Sequence, residues 1–139
     1  MSYVKPDRVV QQMVEAGAAK AHLGAWELVV RGFLSGALLG FATTLAVTAS
    51  LQTRVPVAGA VLFPVGFVMI VLLGLELVTG NFALVPLAVL EGRARLGGLA
   101  RNWAWVFFGN LLGAVAYAVL FVATTGPQSD IGRLSLIHI

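Results

Sequence analysis

The chain contains no cysteine. That excludes disulfides, thiol nucleophiles and Cys-ligated metal centres. Charge is scarce too: 11% of the 139 residues are Asp, Glu, Lys or Arg, against about 25% in a soluble domain. Histidine is limited to His22 and His138. One histidine without partners is not a metal site, so His22 reads as an ordinary surface residue and no metal or other cofactor is expected. No Ser/His/Asp set, glycine-rich phosphate loop or pair of carboxylates in a cleft can be assembled from these residues, which leaves an enzyme without chemistry. The net charge of +3 is spread along the chain, not clustered, which argues against a nucleic-acid partner.

What is present is apolar: 59% of the residues. Gly32 to Thr53, Val55 to Leu75 and Asn102 to Ser129 carry no charged residue. A bilayer core about 30 Å thick needs roughly 20 apolar helical residues, and each stretch meets that. Membrane strands would alternate polar and apolar, which these stretches do not. The expected class is an all-α membrane protein of three spans. A signal peptide does not fit, because the first apolar run starts only after Arg31 and exceeds an h-region of about 7–15 residues. Lys5, Arg8, Lys20 and Arg31 precede the first span, and Arg93, Arg95 and Arg101 lie between the second and third. Arg54 alone separates the first from the second. The positive-inside rule then places the N-terminus in the cytoplasm of a multi-pass inner-membrane protein.

Residues 1–31 form the cytoplasmic lead-in. Asp7 suits a helix start, and Val9, Val10, Met13, Ala16 and Gly17 recur at helical spacing. The helix either lies on the membrane surface or packs on protein. The first span covers 32–50, where Gly32, Gly36 and Gly40 make a bare stripe suited to close helix packing or, less readily, to a pore wall. The third span covers 103–123, with Trp103 and Trp105 at its start, where indoles favour the interface, and a second small-residue face at Gly109 and Gly113. Asn110 lies beside that face and is expected to bond a neighbouring helix or freed backbone. An external tail follows over 124–133.

The second apolar stretch, 57–91, is the unusual one. As a continuous helix Val57 to Leu90 would be about 51 Å long at about 1.5 Å per residue, too long for one span and too short for two. The expected break is Leu75-Glu76-Leu77-Val78-Thr79-Gly80-Asn81, with Pro86 beyond it. That gives half-helices over 57–77 and 82–91. A broken membrane helix survives only against protein or a water-filled cavity. Its second half presents roughly half a positive charge and free N–H groups, the feature transporters aim at anions. The donors would be the amides around Thr79, Gly80 and Asn81, with the Thr79 hydroxyl. A packing kink is the plainer alternative. Glu76, the sole acid between Glu27 and Glu91, would repel an anion if it faced the pore. It reads as a structural acceptor for backbone N–H or arginine at the membrane edge, or as a proton relay.

Three motifs in order resemble the formate/nitrite transporter family: Arg-Gly-Phe-Leu-Ser-Gly-Ala-Leu-Leu-Gly-Phe (31–41), Gly-Leu-Glu-Leu-Val-Thr-Gly-Asn (74–81) and Arg-Asn-Trp-Ala-Trp-Val-Phe-Phe-Gly-Asn-Leu-Leu-Gly-Ala (101–114). The resemblance covers residues 15–125. It implies an aquaporin-like protomer of six helices in two inverted halves, of which this chain is the first. It also implies a homopentamer and a small anion substrate such as formate, nitrite or hydrosulfide. Leu77, Val78 and Thr79 would form the pore loop, and Phe63 and Phe67 would sit at the apolar constrictions, with Leu77 at the cytoplasmic one. Ordinary core aromatics are the alternative for both phenylalanines. The family's pore histidine belongs to a later span that the chain does not contain. The half alone is therefore expected to leave its glycine faces unpartnered and to conduct nothing. A non-conducting scaffold subunit and a neutral-solute channel are the competing functions, the latter without the usual Asn-Pro-Ala turns. Leu134 to Ile139 match one translation of a transposase end used in library preparation, so adapter read-through is expected there and His138 carries no weight.

Overall fold

The computed structural model describes residues 3–125, and its regular structure there is helical throughout. The external tail beyond Thr125, Leu134 to Ile139 and His138 lie outside the described residues. The order is α1 (Pro6–His22), α2 (Ala25–Thr53), α3 (Pro56–Leu62), α4 (Pro64–Leu72), α5 (Val78–Leu90) and α6 (Leu96–Thr125). α2 and α6 are long and apolar enough to cross a membrane.

Both long helices overrun the charge-free stretches that mark them in the sequence. α2 starts at Ala25, not residue 32, because the Glu27 carboxylate reaches back to the Gly24 N–H at 3.3 Å and satisfies a donor at the helix start. It ends at Thr53 with Arg54 in the left-handed region, φ 58°. α6 begins at Leu96, before Arg101. Arginine is a good helix former, so the loss of apolar character does not stop the helix.

α2 and α6 form the central seam and run parallel, since their contacts climb together. A Cβ on Gly32 would lie 3.2 Å from the Gly109 Cα, and one on Gly36 would collide with the Asn110 carbonyl. A Cβ on Gly113 would collide with the Phe33 carbonyl, and Gly40 lies under the Tyr117 ring. The two small-residue faces expected to lack partners therefore pack against each other. Bare stripes on both sides let the backbones meet where any larger side chain would hold them apart. The Thr44 and Tyr117 hydroxyls close the seam at 2.6 Å.

α3 and α4 fold back along α2, with Gly59 against Ala46 and Gly66 against Ala42. The half-helix expected over 57–77 is divided at Pro64, which has no N–H to continue the ladder. It ends at Leu72, earlier than expected. Gly74 adopts φ +62°, with Gly74 N–H bonded to the Val71 carbonyl and Leu75 N–H to the Ile70 carbonyl, the paired bonds of a Schellman cap. The cap at Gly74 thus ends the helix before the expected Leu77, and Gly80 lies inside α5 instead of in the break. α5 begins at Val78 instead of Phe82, and Pro86 lies inside it without ending it.

α1 packs on α5. Its buried residues are Val14, Gly17 and Ala21, while Val9 and Val10 are exposed. A Cβ on Gly17 would collide with the Leu84 carbonyl. The Arg101 guanidinium fixes the end of α1 to α6 by donating to the carbonyls of Ala21 at 3.1 Å and Leu23 at 2.7 Å.

Candidate functional site

The segment Leu73 to Leu77 leaves the helices, and its backbone groups need partners. The N–H groups of Leu73, Gly74 and Leu75 bond back to the preceding helix and the Leu77 carbonyl accepts from Asn81, and Asn110 on α6 serves the groups on either side of Leu77. Its Oδ1 accepts the Val78 N–H at 3.0 Å, and its Nδ2 lies 3.0 Å from the Glu76 carbonyl. The same Nδ2 lies 2.9 Å from the Gly32 carbonyl and from Ser35 Oγ. Ser35 donates to the Glu76 carbonyl at 2.7 Å. One amide thus holds the backbone on either side of Leu77, where the interruption passes into α5, and it can reach there because Gly32 and Gly36 let α6 approach α2.

Below this lies a buried polar cluster. Glu76, 2% exposed, pairs through Oε1 with Lys20 Nζ on α1 at 2.8 Å. Its Oε2 accepts from Asn81 Nδ2 at 2.8 Å, and the same Nδ2 donates to Asn102 Oδ1 at 2.8 Å. Asn102 Nδ2 donates to the Lys20 carbonyl at 2.9 Å. Trp103 Nε1 donates to the Asn81 carbonyl at 3.3 Å while its ring meets Phe82 edge-on at 4.5 Å. The expected partners of Glu76 were arginine or backbone N–H groups. The structure gives it the ammonium of Lys20 and the amide of Asn81 instead, because α1 folds onto α5 and carries Lys20 inward. Nor does Glu76 sit away from the loop region, for it lines the same cleft as Leu77 and Thr79. Pairing with Lys20 leaves this position without net formal charge.

The expected loop residues separate. Leu77 stands outside the helix in extended conformation and precedes it as N-cap without a side-chain cap bond, whereas Val78, Thr79, Gly80 and Asn81 form the first turn of α5. Asn81 is not available as a donor. Its N–H closes the first helical bond, to the Leu77 carbonyl at 3.0 Å, and its side chain is fully buried. Its Oδ1 has no partner among the described residues. Thr79 and Gly80 are exposed, and their N–H groups have no hydrogen-bond partner among the described residues. A Cβ on Gly80 would meet open space.

Two clefts flank this turn. One of about 290 Å³ lies against α2 and α6 and is lined by Leu77, Val78, Thr79, Gly36, Gly40 and Asn110 among others. The other, about 580 Å³, lies on the α1 and α4 side and is lined by Leu77, Thr79, Gly80, Glu76, Lys20 and Phe67 among others. Leu77 and Thr79 belong to both. Phe67 is brought to the second cleft. Phe63 touches Phe67 edge-on at 5.5 Å but lines a separate hollow against α2. Gly32, Gly109 and Gly113 are buried in the seam. Sequence reasoning passed over Lys20 and Asn102. Asn102 stands within a quoted motif, and Lys20 interrupts an alanine-rich turn, but neither reveals a partner until α1 is docked.

A family profile described as formate/nitrite transporter matches residues 7–138. A formate channel of Bacillus thuringiensis is 35% identical over 87% of this chain and 49% of its own length. A probable formate transporter of Methanothermobacter thermautotrophicus is 42% identical over 77% of this chain and 41% of its own. A formate channel of Escherichia coli is 29% identical over 83% and 42% respectively. The chain thus spans about half the length of the curated relatives it matches. With the profile running through nearly all of it and two apolar helices of membrane-crossing length, the chain belongs to the formate/nitrite transporter family of membrane transport proteins.

Proposed function

We propose that this chain supplies part of a pore for small monovalent weak-acid anions, formate or close analogues such as nitrite, across the cytoplasmic membrane. The observation that carries the reading is the start of α5, where the N-cap Leu77 makes no side-chain bond and Asn110 takes only the Val78 N–H. The Thr79 and Gly80 amides are unpaired at a turn shared by two clefts. A helix start of this kind attracts negative charge without a fixed cation, and Lys20 and Glu76 beside it cancel each other. α3–α4 and α5 together act as one discontinuous span, since neither alone reaches across a core about 30 Å thick at about 1.5 Å per residue.

Leu77, Val78 and Thr79 form the pore wall, with the Thr79 hydroxyl as a rotatable donor or acceptor and Phe67 narrowing one side. Phe63 supports Phe67 edge-on. Among such apolar groups an anion loses hydration and its protonated form is favoured. Six-helix protomers assembled as a homopentamer complete the reading, with the N-terminus cytoplasmic.

The test is a chimera in which residues 15–125 replace the matching segment of the Bacillus thuringiensis formate channel. Reconstituted in liposomes it conducts formate, and Thr79→Val lowers the flux about tenfold, the effect of losing about 1.4 kcal/mol at one step. Flux unchanged by Thr79→Val would remove Thr79 from the pore. A folded chimera with no flux would favour a scaffold subunit.

A further inference from the structure

The turn between α5 and α6 forms a second polar centre, unconnected with the start of α5. A cleft of about 570 Å³ opens there, lined by Arg93, Arg95 and Arg101 with His22, Ala21 and Gly98 among others, and among the described residues no carboxylate lines it. Arg93 and Arg95 are exposed and make no ion pair or side-chain hydrogen bond among the described residues. Arg101 spends one nitrogen, Nη2, on the carbonyls that end α1. A guanidinium has five N–H donors, so Arg101 offsets the negative end of α1 and still has donors to give.

The loop is preshaped. Gly92 takes φ +68°, Arg93 N–H bonds the Ala88 carbonyl at 2.8 Å, and Leu99 N–H bonds the Arg95 carbonyl at 3.1 Å. The arginines are therefore presented from a fixed backbone. The turn joins the ends of two apolar helices, which puts it at a membrane surface. Leu90 and Leu96 flank it with 82% and 72% of their surface exposed.

We propose that this cleft binds the phosphate of an acidic phospholipid. Arginine forks match phosphate oxygens, and basic pockets beside membrane helices take lipid headgroups in this way. The two leucines decide between sources of phosphate: they would lie among acyl chains, which a soluble phosphate does not bring. Glu91 is the nearest acid in sequence, but it does not line the cleft.

The experiment uses the whole chain in a neutral detergent, with native mass spectrometry and thermal unfolding as readouts. Phosphatidylglycerol should bind at least about tenfold more tightly than phosphatidylcholine of the same acyl chains, weaken with salt, and raise the unfolding temperature. The double variant R93Q/R95Q should lose that preference while unfolding at the wild-type temperature without lipid, since neither side chain makes an internal bond. Arg54→Gln, at another loop, should keep the preference. Equal binding of the two lipids, or a double variant that still prefers phosphatidylglycerol, would overturn the proposal. So would inorganic phosphate reproducing the full stabilisation, which would make the site one for a soluble anion.

Discussion

Asn110 shows how much one side chain can decide. It was legible as a polar residue in an apolar helix, and its expected role was to bond a neighbouring helix or freed backbone. What the sequence could not reveal is that a single amide serves the carbonyl of Glu76 and the N–H of Val78 on either side of Leu77. Asn110→Ala strands the Val78 N–H where water is scarce, while the Glu76 carbonyl keeps the Ser35 hydroxyl, and should lower stability by about 1–3 kcal/mol in detergent unfolding. Asn110→Asp should not rescue it in its ionised form, because a carboxylate can accept from Val78 but cannot donate to Glu76 and carries a charge where water is scarce. The Lys20–Glu76 pair gives a second prediction. Lys20→Met leaves a buried carboxylate unpaired and should cost about 2–3 kcal/mol, below the full value for a buried pair because the lysine side chain is 22% exposed. Adding Glu76→Gln should recover more than half of the loss. If the double variant is no better than Lys20→Met, the ion pair is not what holds α1 to the interruption.

At the scale of elements, glycines separate packing from turn geometry. Gly36 meets the Asn110 backbone directly, so Gly36→Ala should push α2 from α6 and cost at least about 2 kcal/mol in thermal or denaturant unfolding. Gly80 meets nothing within 4 Å, and Gly80→Ala should be neutral or stabilise by up to about 1 kcal/mol, the difference in helix propensity. Gly74, at φ +62°, should cost about 1–2 kcal/mol as alanine from left-handed strain alone. The sequence marked an interruption between residues 75 and 81, and the structure moves it to 73–77. Gly and Asn near a break look alike in one dimension. Only the left-handed angle at Gly74 and the burial of Asn81 show that one ends a helix while the other anchors the next.

For the whole molecule, the absence of cysteine makes the proposed orientation easy to check. Arg54→Cys should react with an impermeant maleimide in intact cells, and Arg95→Cys only after permeabilisation. Labelling of both from one side would reject the arrangement in which α2 and the α3–α5 stretch each cross the bilayer once. The membrane class, the existence of the two long apolar helices and the glycine faces were determined by the sequence alone, because each rests on composition or on spacing along one helix, and the family was legible from three motifs in order. Charge-free length follows from bilayer thickness, and a glycine stripe needs only a period near four. The tertiary structure alone decided which face met which, that Lys20 and not an arginine answers Glu76, and that Thr79 and Gly80 keep their amides while Asn81 gives its own away. Those outcomes depend on groups as far as 78 positions apart in the chain being brought within hydrogen-bond distance. Three-dimensional packing sets such distances, and no local pattern encodes them.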